Sequence, residues 1–126
     1  MPKGSRFTRT IHRGDVFSVD FEPVRGSEQG KVRPAVGIQN DLGNRHSPTL
    51  IVAPLTSGTH ARFDVNVAMQ APEGSLTNDS LVLLNQIRTA NLSRFGRYWG
   101  RMKPRTMAKV DDAILNSLGL VKYLRS

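Results

Sequence analysis

Asp15-Val16-Phe17-Ser18-Val19-Asp20-Phe21 sets Phe17, Val19 and Phe21 against Ser18 and Asp20 at every second position. That is the period of a strand with one face in a core and the other toward water. Working outward, Pro34 to Asn40, Leu50 to Leu55, Phe63 to Ala68, Leu81 to Leu84 and Arg97 to Lys103 are further β-type runs between Gly-, Pro- and Asn-rich turns. Phe63, Val65 and Val67 repeat the alternation against Asp64 and Asn66. Short strands at this spacing predict a mainly β fold, a small and strongly curved barrel.

The pattern changes near the end, where Met107, Val110, Ile114 and Leu118 recur at three- and four-residue spacing. This predicts one helix, with Thr106 as its N-cap and Gly119 as its stop. Asp111 and Asp112 fall on its polar side, as on any solvated helix face. Residues 1–12 are basic and aperiodic, so they are expected to form a flexible arm ahead of a folded domain spanning 13–126.

A chain of 126 residues suits one domain and excludes a two-domain enzyme with an interdomain cleft. Its 18 Lys and Arg against 10 Asp and Glu give a net charge of +8, which makes a polyanion the first partner to consider. The charge is uneven: residues 34–86 are slightly acidic, and both flanks are basic. With no cysteine, disulfides, thiol nucleophiles and Cys-based zinc sites are excluded. The apolar runs are strand-sized and no secretory leader is visible, so a cytoplasmic protein without a membrane segment is expected.

Several short matches carry nothing. Gly26-Ser27-Glu28-Gln29-Gly30-Lys31 is one residue short of a phosphate-binding P-loop, and Val32 stands where a hydroxyl should hold magnesium. His12, His46 and His60 lack the spacing of a metal cluster, so neither metal nor cofactor is expected.

More informative is Glu22 to Pro34, in which two glycines bracket a polar tip before an Arg-Pro strand start. It reads as a mobile flap carrying Ser27, Glu28 and Gln29 on a fixed base, with Pro34 biasing Arg33 toward an extended backbone. Thr56 and Ser57 end the strand from Leu50, while Gln86 and Arg88 follow the run from Leu81. A hydroxyl and one or two guanidinium groups can hold a phosphodiester and offset the charge that grows on it as a ribose hydroxyl attacks.

Together these stretches resemble the MazF/PemK family of toxin endoribonucleases from type II toxin–antitoxin modules. The resemblance runs from about Arg13 to Val121. Its carriers are Arg13-Gly14-Asp15-Val16, the Gly26 to Pro34 flap, Ile38-Gln39-Asn40-Asp41, Asn44-Arg45 with Ser47-Pro48-Thr49, Thr56, Gln86-Ile87-Arg88-Thr89, and Lys109-Val110-Asp111 with Leu118-Gly119-Leu120. Asn85 stands where such proteins often carry Glu.

The resemblance implies an SH3-like β-barrel with a C-terminal helix, working as a homodimer. It also implies metal-independent, sequence-specific cleavage of single-stranded RNA through the 2′-hydroxyl, leaving a 2′,3′-cyclic phosphate and a 5′-hydroxyl and so inhibiting translation. Arg33 and Thr56 correspond to the catalytic pair. Ser27, Glu28, Gln29, Asn40, Ser57, Gln86 and Arg88 correspond to positions that line or brace the RNA groove. A MazE-like antitoxin with an acidic disordered tail is the implied partner, competing with RNA for the groove. Two alternatives stay open: a gyrase-poisoning toxin of the related CcdB-type barrel, and a non-catalytic RNA-binding barrel. Arg94 to Arg105 interleaves cations with aromatics, but its place as the last strand argues for Trp99 packed under the helix rather than stacked on a base.

Overall fold

The computed structural model describes residues 10–22, 31–59 and 63–123. The arm over 1–9, the flap residues Ser27, Glu28 and Gln29, and His60 lie outside them. Among the described residues, seven strands form one antiparallel sheet: β1 (Asp15–Asp20), β2 (Val32–Gly37), β3 (Thr49–Ser57), β4 (Asn66–Met69), β5 (Ser80–Leu83), β6 (Arg88–Asn91) and β7 (Phe95–Arg101). Two helices join them, α1 (Asp41–His46) and α2 (Pro104–Ser117). The order is β4-β5-β3-β2-β1-β7, with β6 on the first half of β3. The sheet curls without closing, so "barrel" describes it only approximately.

The long strand β3 organises the fold. Thr49 to Val52 pair with β6, Leu55 to Ser57 pair with β5, and the opposite edge pairs with β2. Residues on its two faces enter two different apolar clusters. Leu50 and Val52 join Phe17, Val19, Phe21, Ala35, Leu92 and Phe95, whereas Ala53 and Leu55 join Val16, Val36, Val67, Val82, Val110 and Ala113 beneath α2. The alternation around Phe17 therefore marks a strand buried on both faces, with Val16 feeding the second cluster. Phe17 stacks edge-on against Phe95, with ring centroids 5.5 Å apart. Each such burial contributes about 1.5–3 kcal/mol relative to exposure.

Helix α2 starts earlier than periodicity predicts. Lys103 is its N-cap and Pro104 its first residue, while Thr106 is buried inside it. Proline at that position loses no intrahelical hydrogen bond and brings a pre-set φ, which outweighs the capping preference of Thr106. Gly119 ends the helix as expected, with φ +74° and its N–H donating to the Asn116 carbonyl at 3.1 Å.

Other boundaries differ too. Phe63 belongs to a 3-10 turn ahead of β4, Gln86 sits in the turn after β5, and Arg88 opens β6, a strand the apolar pattern misses. Helix α1 is also missed, because side chains and not an apolar stripe hold it. Asn40 Oδ1 accepts from the Gly43 N–H, and the buried Asn44 donates to the Gln39 carbonyl and the Asp41 carboxylate.

The Arg13-Gly14-Asp15 stretch is structural. Arg13 donates to the Ile38 carbonyl and pairs with Asp111 on α2 at 2.7 Å, so Asp111 is not merely solvated. The buried Asp15 carboxylate accepts from the His12 N–H and from Arg101 Nε at 2.7 Å. That contact holds the Arg101 guanidinium above its usual pKa range. Ile11 is buried in the cluster around Phe17, so core packing begins ahead of Arg13. No helix among the described residues is long and apolar enough to cross a membrane.

Candidate active site

The register of β2 on β3 pairs Ala35 with Pro54 and Val36 with Ala53. Continued two residues beyond Ala35, it sets Arg33 opposite Thr56. Both line one pocket of about 140 Å³ where the β2–β3 pair ends. Pro34 contributes from β2, Leu55 and Ser57 from β3, and Trp99 from β7. The last wall comes from Leu76, Thr77 and Asn78, with Ser80 at the start of β5.

Strand geometry explains how distant residues meet here. Ser18 pairs with Pro34 across β1 and β2, and Phe17 pairs with Tyr98 across β1 and β7. Tyr98 packs on Phe17 in the cluster that holds Phe17, so its neighbour Trp99 faces the other way, toward the cluster beneath α2. Trp99 does pack against the cluster that α2 covers, but it is only half-buried and forms a pocket wall. The expected packing beneath the helix is thus present, and the half-buried ring also faces the pocket. Its Nε1 donates to Ser18 Oγ at 2.8 Å, and the Arg97 guanidinium lies over its ring at 4.1 Å from the centroid.

The sequence-derived site residues divide into groups. Arg33, Thr56 and Ser57 share the pocket. Gln86, Arg88 and Asn40 do not line it. Arg88 instead donates to the Phe21 carbonyl at 3.1 Å and lays its guanidinium over the Phe21 ring, 5.2 Å from the centroid. It thereby ties β6 to the residues that precede segment 23–30. Asn40 is occupied as the cap of α1. Trp99, Thr77 and Asn78 were missed, although period-two alternation through Tyr98 and Trp99 would have placed the indole on the site's face. Nearby, Asn85 Oδ1 accepts a long hydrogen bond of 3.4 Å from Asn66.

The pocket is small and lined by Arg33, with Arg97 stacked on Trp99, another of its lining residues. Such a site suits one phosphodiester and what adjoins it. Residues 12–118 match the family model of the PemK-like, MazF-like toxins of type II toxin–antitoxin systems. The chain belongs to the PemK/MazF toxin family. An endoribonuclease MazF of Staphylococcus epidermidis is 46% identical over 114 residues, covering 90% of this chain and 95% of that protein. A mycobacterial endoribonuclease, solved with its cognate antitoxin, is 28% identical with a TM-score of 0.72, over 87% of this chain and 96% of that one. The MazF of Deinococcus radiodurans, at 23% identity and a TM-score of 0.75, shares the PemK/MazF fold over 88% of this chain and 98% of its own. Arg33, Thr56 and the β2–β3 register that pairs them thus lie well within the family match.

Proposed function

We propose that this toxin cuts single-stranded RNA at selected sequences, without a metal, using the substrate's own 2′-hydroxyl. Endoribonuclease activity rests on the 46% identity over 90% of the chain. The finer reading is carried by one observation: a guanidinium and a hydroxyl, from Arg33 and Thr56, line the same phosphodiester-sized pocket. In the reaction the 2′-oxygen bonds to phosphorus, the P–O5′ bond breaks, and the proton lost by the 2′-hydroxyl is matched by one gained at the 5′-oxygen. The products are a 2′,3′-cyclic phosphate and a 5′-hydroxyl.

Negative charge builds on the non-bridging oxygens during attack. Arg33 faces it with fixed N–H donors, while Thr56 holds the phosphate by its hydroxyl. Guanidinium offers donors and no acceptor, so Arg33 serves as an electrostatic clamp rather than as a base. Ser57 and Gln86 extend the grip, Ser27, Glu28, Gln29 and Asn40 lie along the RNA path, and Arg88 braces it. The nuclease domain takes in Ile11, which its core buries, and the basic arm is the stretch ahead of it. Single strands are the substrate because only unpaired bases expose their edges to so small a site.

The protein acts in the cytoplasm as a homodimer, stops translation by cutting messages, and is restrained by an antitoxin whose acidic disordered tail competes for the cationic groove. The deciding experiment maps a cut site in chelator and replaces its one 2′-hydroxyl by hydrogen. Cleavage there is expected to stop. Cleavage that continues overturns the mechanism.

A further inference from the structure

The wall facing Arg33 and Thr56 belongs to none of the site residues drawn from the sequence. It joins Trp99 to Thr77 and Asn78 across a pocket that Arg33 and Thr56 also line. The indole is oriented from two sides, by Ser18 Oγ at 2.8 Å and by Arg97 at 4.1 Å over the ring, yet it remains half-exposed. Thr77 and Asn78 of the same pocket are exposed, and no hydrogen bond among the described residues engages either side chain. The Asn78 carbonyl oxygen of the main chain, by contrast, is taken by Ser80 Oγ.

A pre-oriented aromatic wall beside unoccupied amide and hydroxyl groups is the chemistry that receives a nucleobase. The ring surface accepts any base by stacking, and the asparagine amide offers a donor and an acceptor to one base edge. We propose that Trp99, Thr77 and Asn78 form a subsite for one unpaired base flanking the phosphodiester held by Arg33 and Thr56. Trp99 supplies affinity, Arg97 adds a cation over the same ring, and Asn78 with Thr77 discriminates among bases. This rests on the nuclease reading above and extends it to sequence selection.

Trp99 is the chain's single tryptophan, so its emission reports this subsite directly. The full chain is titrated with an RNA oligonucleotide of a mapped cut sequence, made uncleavable by 2′-deoxy substitution at the cut, while anisotropy of an end label follows binding independently. Trp99 emission is expected to change with the same midpoint as the anisotropy. Trp99→Ala is expected to weaken binding roughly tenfold or more, with Trp99→Phe recovering much of it. Asn78→Ala, an exposed change that leaves folding intact, is expected to redistribute cut sites on a mixed transcript pool.

Saturable binding with unaltered Trp99 emission overturns the subsite, as does an unchanged cut-site distribution in Asn78→Ala. A parent chain that neither binds nor cuts RNA overturns the nuclease reading as well, and so is distinguishable from failure of the subsite alone.

Discussion

Replacing Arg88 by alanine removes two contacts at the buried Phe21, a hydrogen bond to its carbonyl at 3.1 Å and a guanidinium face over its ring at 5.2 Å. Hydrogen bonds from charged donors contribute about 1.5–3 kcal/mol, and the half-exposed position of Arg88 argues for the low end. The ring contact adds about 0.5–1 kcal/mol. The expected loss is about 2 kcal/mol, which for a domain of this size lowers the thermal midpoint by roughly 6–10 °C. Arg88→Lys keeps the charge but not the flat stacking face, so it should fall between the two. Thermal and urea unfolding measure stability, and binding of an uncleavable RNA measures the groove. If Arg88→Ala loses RNA binding while its stability stays within about 0.5 kcal/mol of the parent, Arg88 contacts the nucleic acid and the bracing argument fails.

Thr56→Val keeps shape but deletes the hydroxyl, so cleavage should fall by about 10²–10³-fold with stability nearly unchanged, as read by single-turnover assay and melting. In Gly100→Ala the new Cβ stands 3.0 Å from the Gly74 carbonyl carbon and 3.1 Å from its oxygen. Neither atom can yield without moving the turn, so unfolding in urea should show a loss of about 1–3 kcal/mol. Asp41 has its pKa lowered chiefly by the hydrogen bond from the Arg13 backbone N–H. The native state therefore binds fewer protons there than the unfolded chain, and this stability is present above the unfolded pKa near 3.9 and lost as pH falls through the folded value. Melting midpoints of the parent and Asp41→Asn should differ by a constant amount from pH 7 to 5 and converge below about pH 4.

What the sequence made legible follows the physics of each signal. Period two around Phe17 identified β1 because alternation needs only local residues, and the apolar spacing from Met107 to Leu118 identified α2 for the same reason. Helix α1 was invisible because Asn40, Asp41 and Asn44 build it from polar side-chain bonds, which leave no hydropathy trace. Strand β6 carries a single buried residue, Ala90, among Arg88, Thr89 and Asn91, too little for a pattern. The start of α2 was misplaced because a hydroxyl at Thr106 was weighed above the proline at 104.

The site divides along the same line. Arg33 and Thr56 are 23 residues apart in sequence, and the motifs that single them out carry no distances. What brings them together is a β2–β3 register fixed in the core just beyond them, at Ala35, Val36 and Gly37 against Pro54, Ala53 and Val52. Those pairs are buried and apolar on both faces, so a slip of one residue would drive Ala35 and Val36 into the wrong clusters. Core packing thus sets the geometry of the pocket. The third wall depends on still longer connections, since Trp99 reaches the pocket only because β7 pairs with β1 on the far side of the sheet. That pairing passes through irregular register between Val16 and Val19. A tryptophan read in its own segment is only a basic-aromatic run, and it becomes a wall of the pocket through two strand pairings that no local pattern contains.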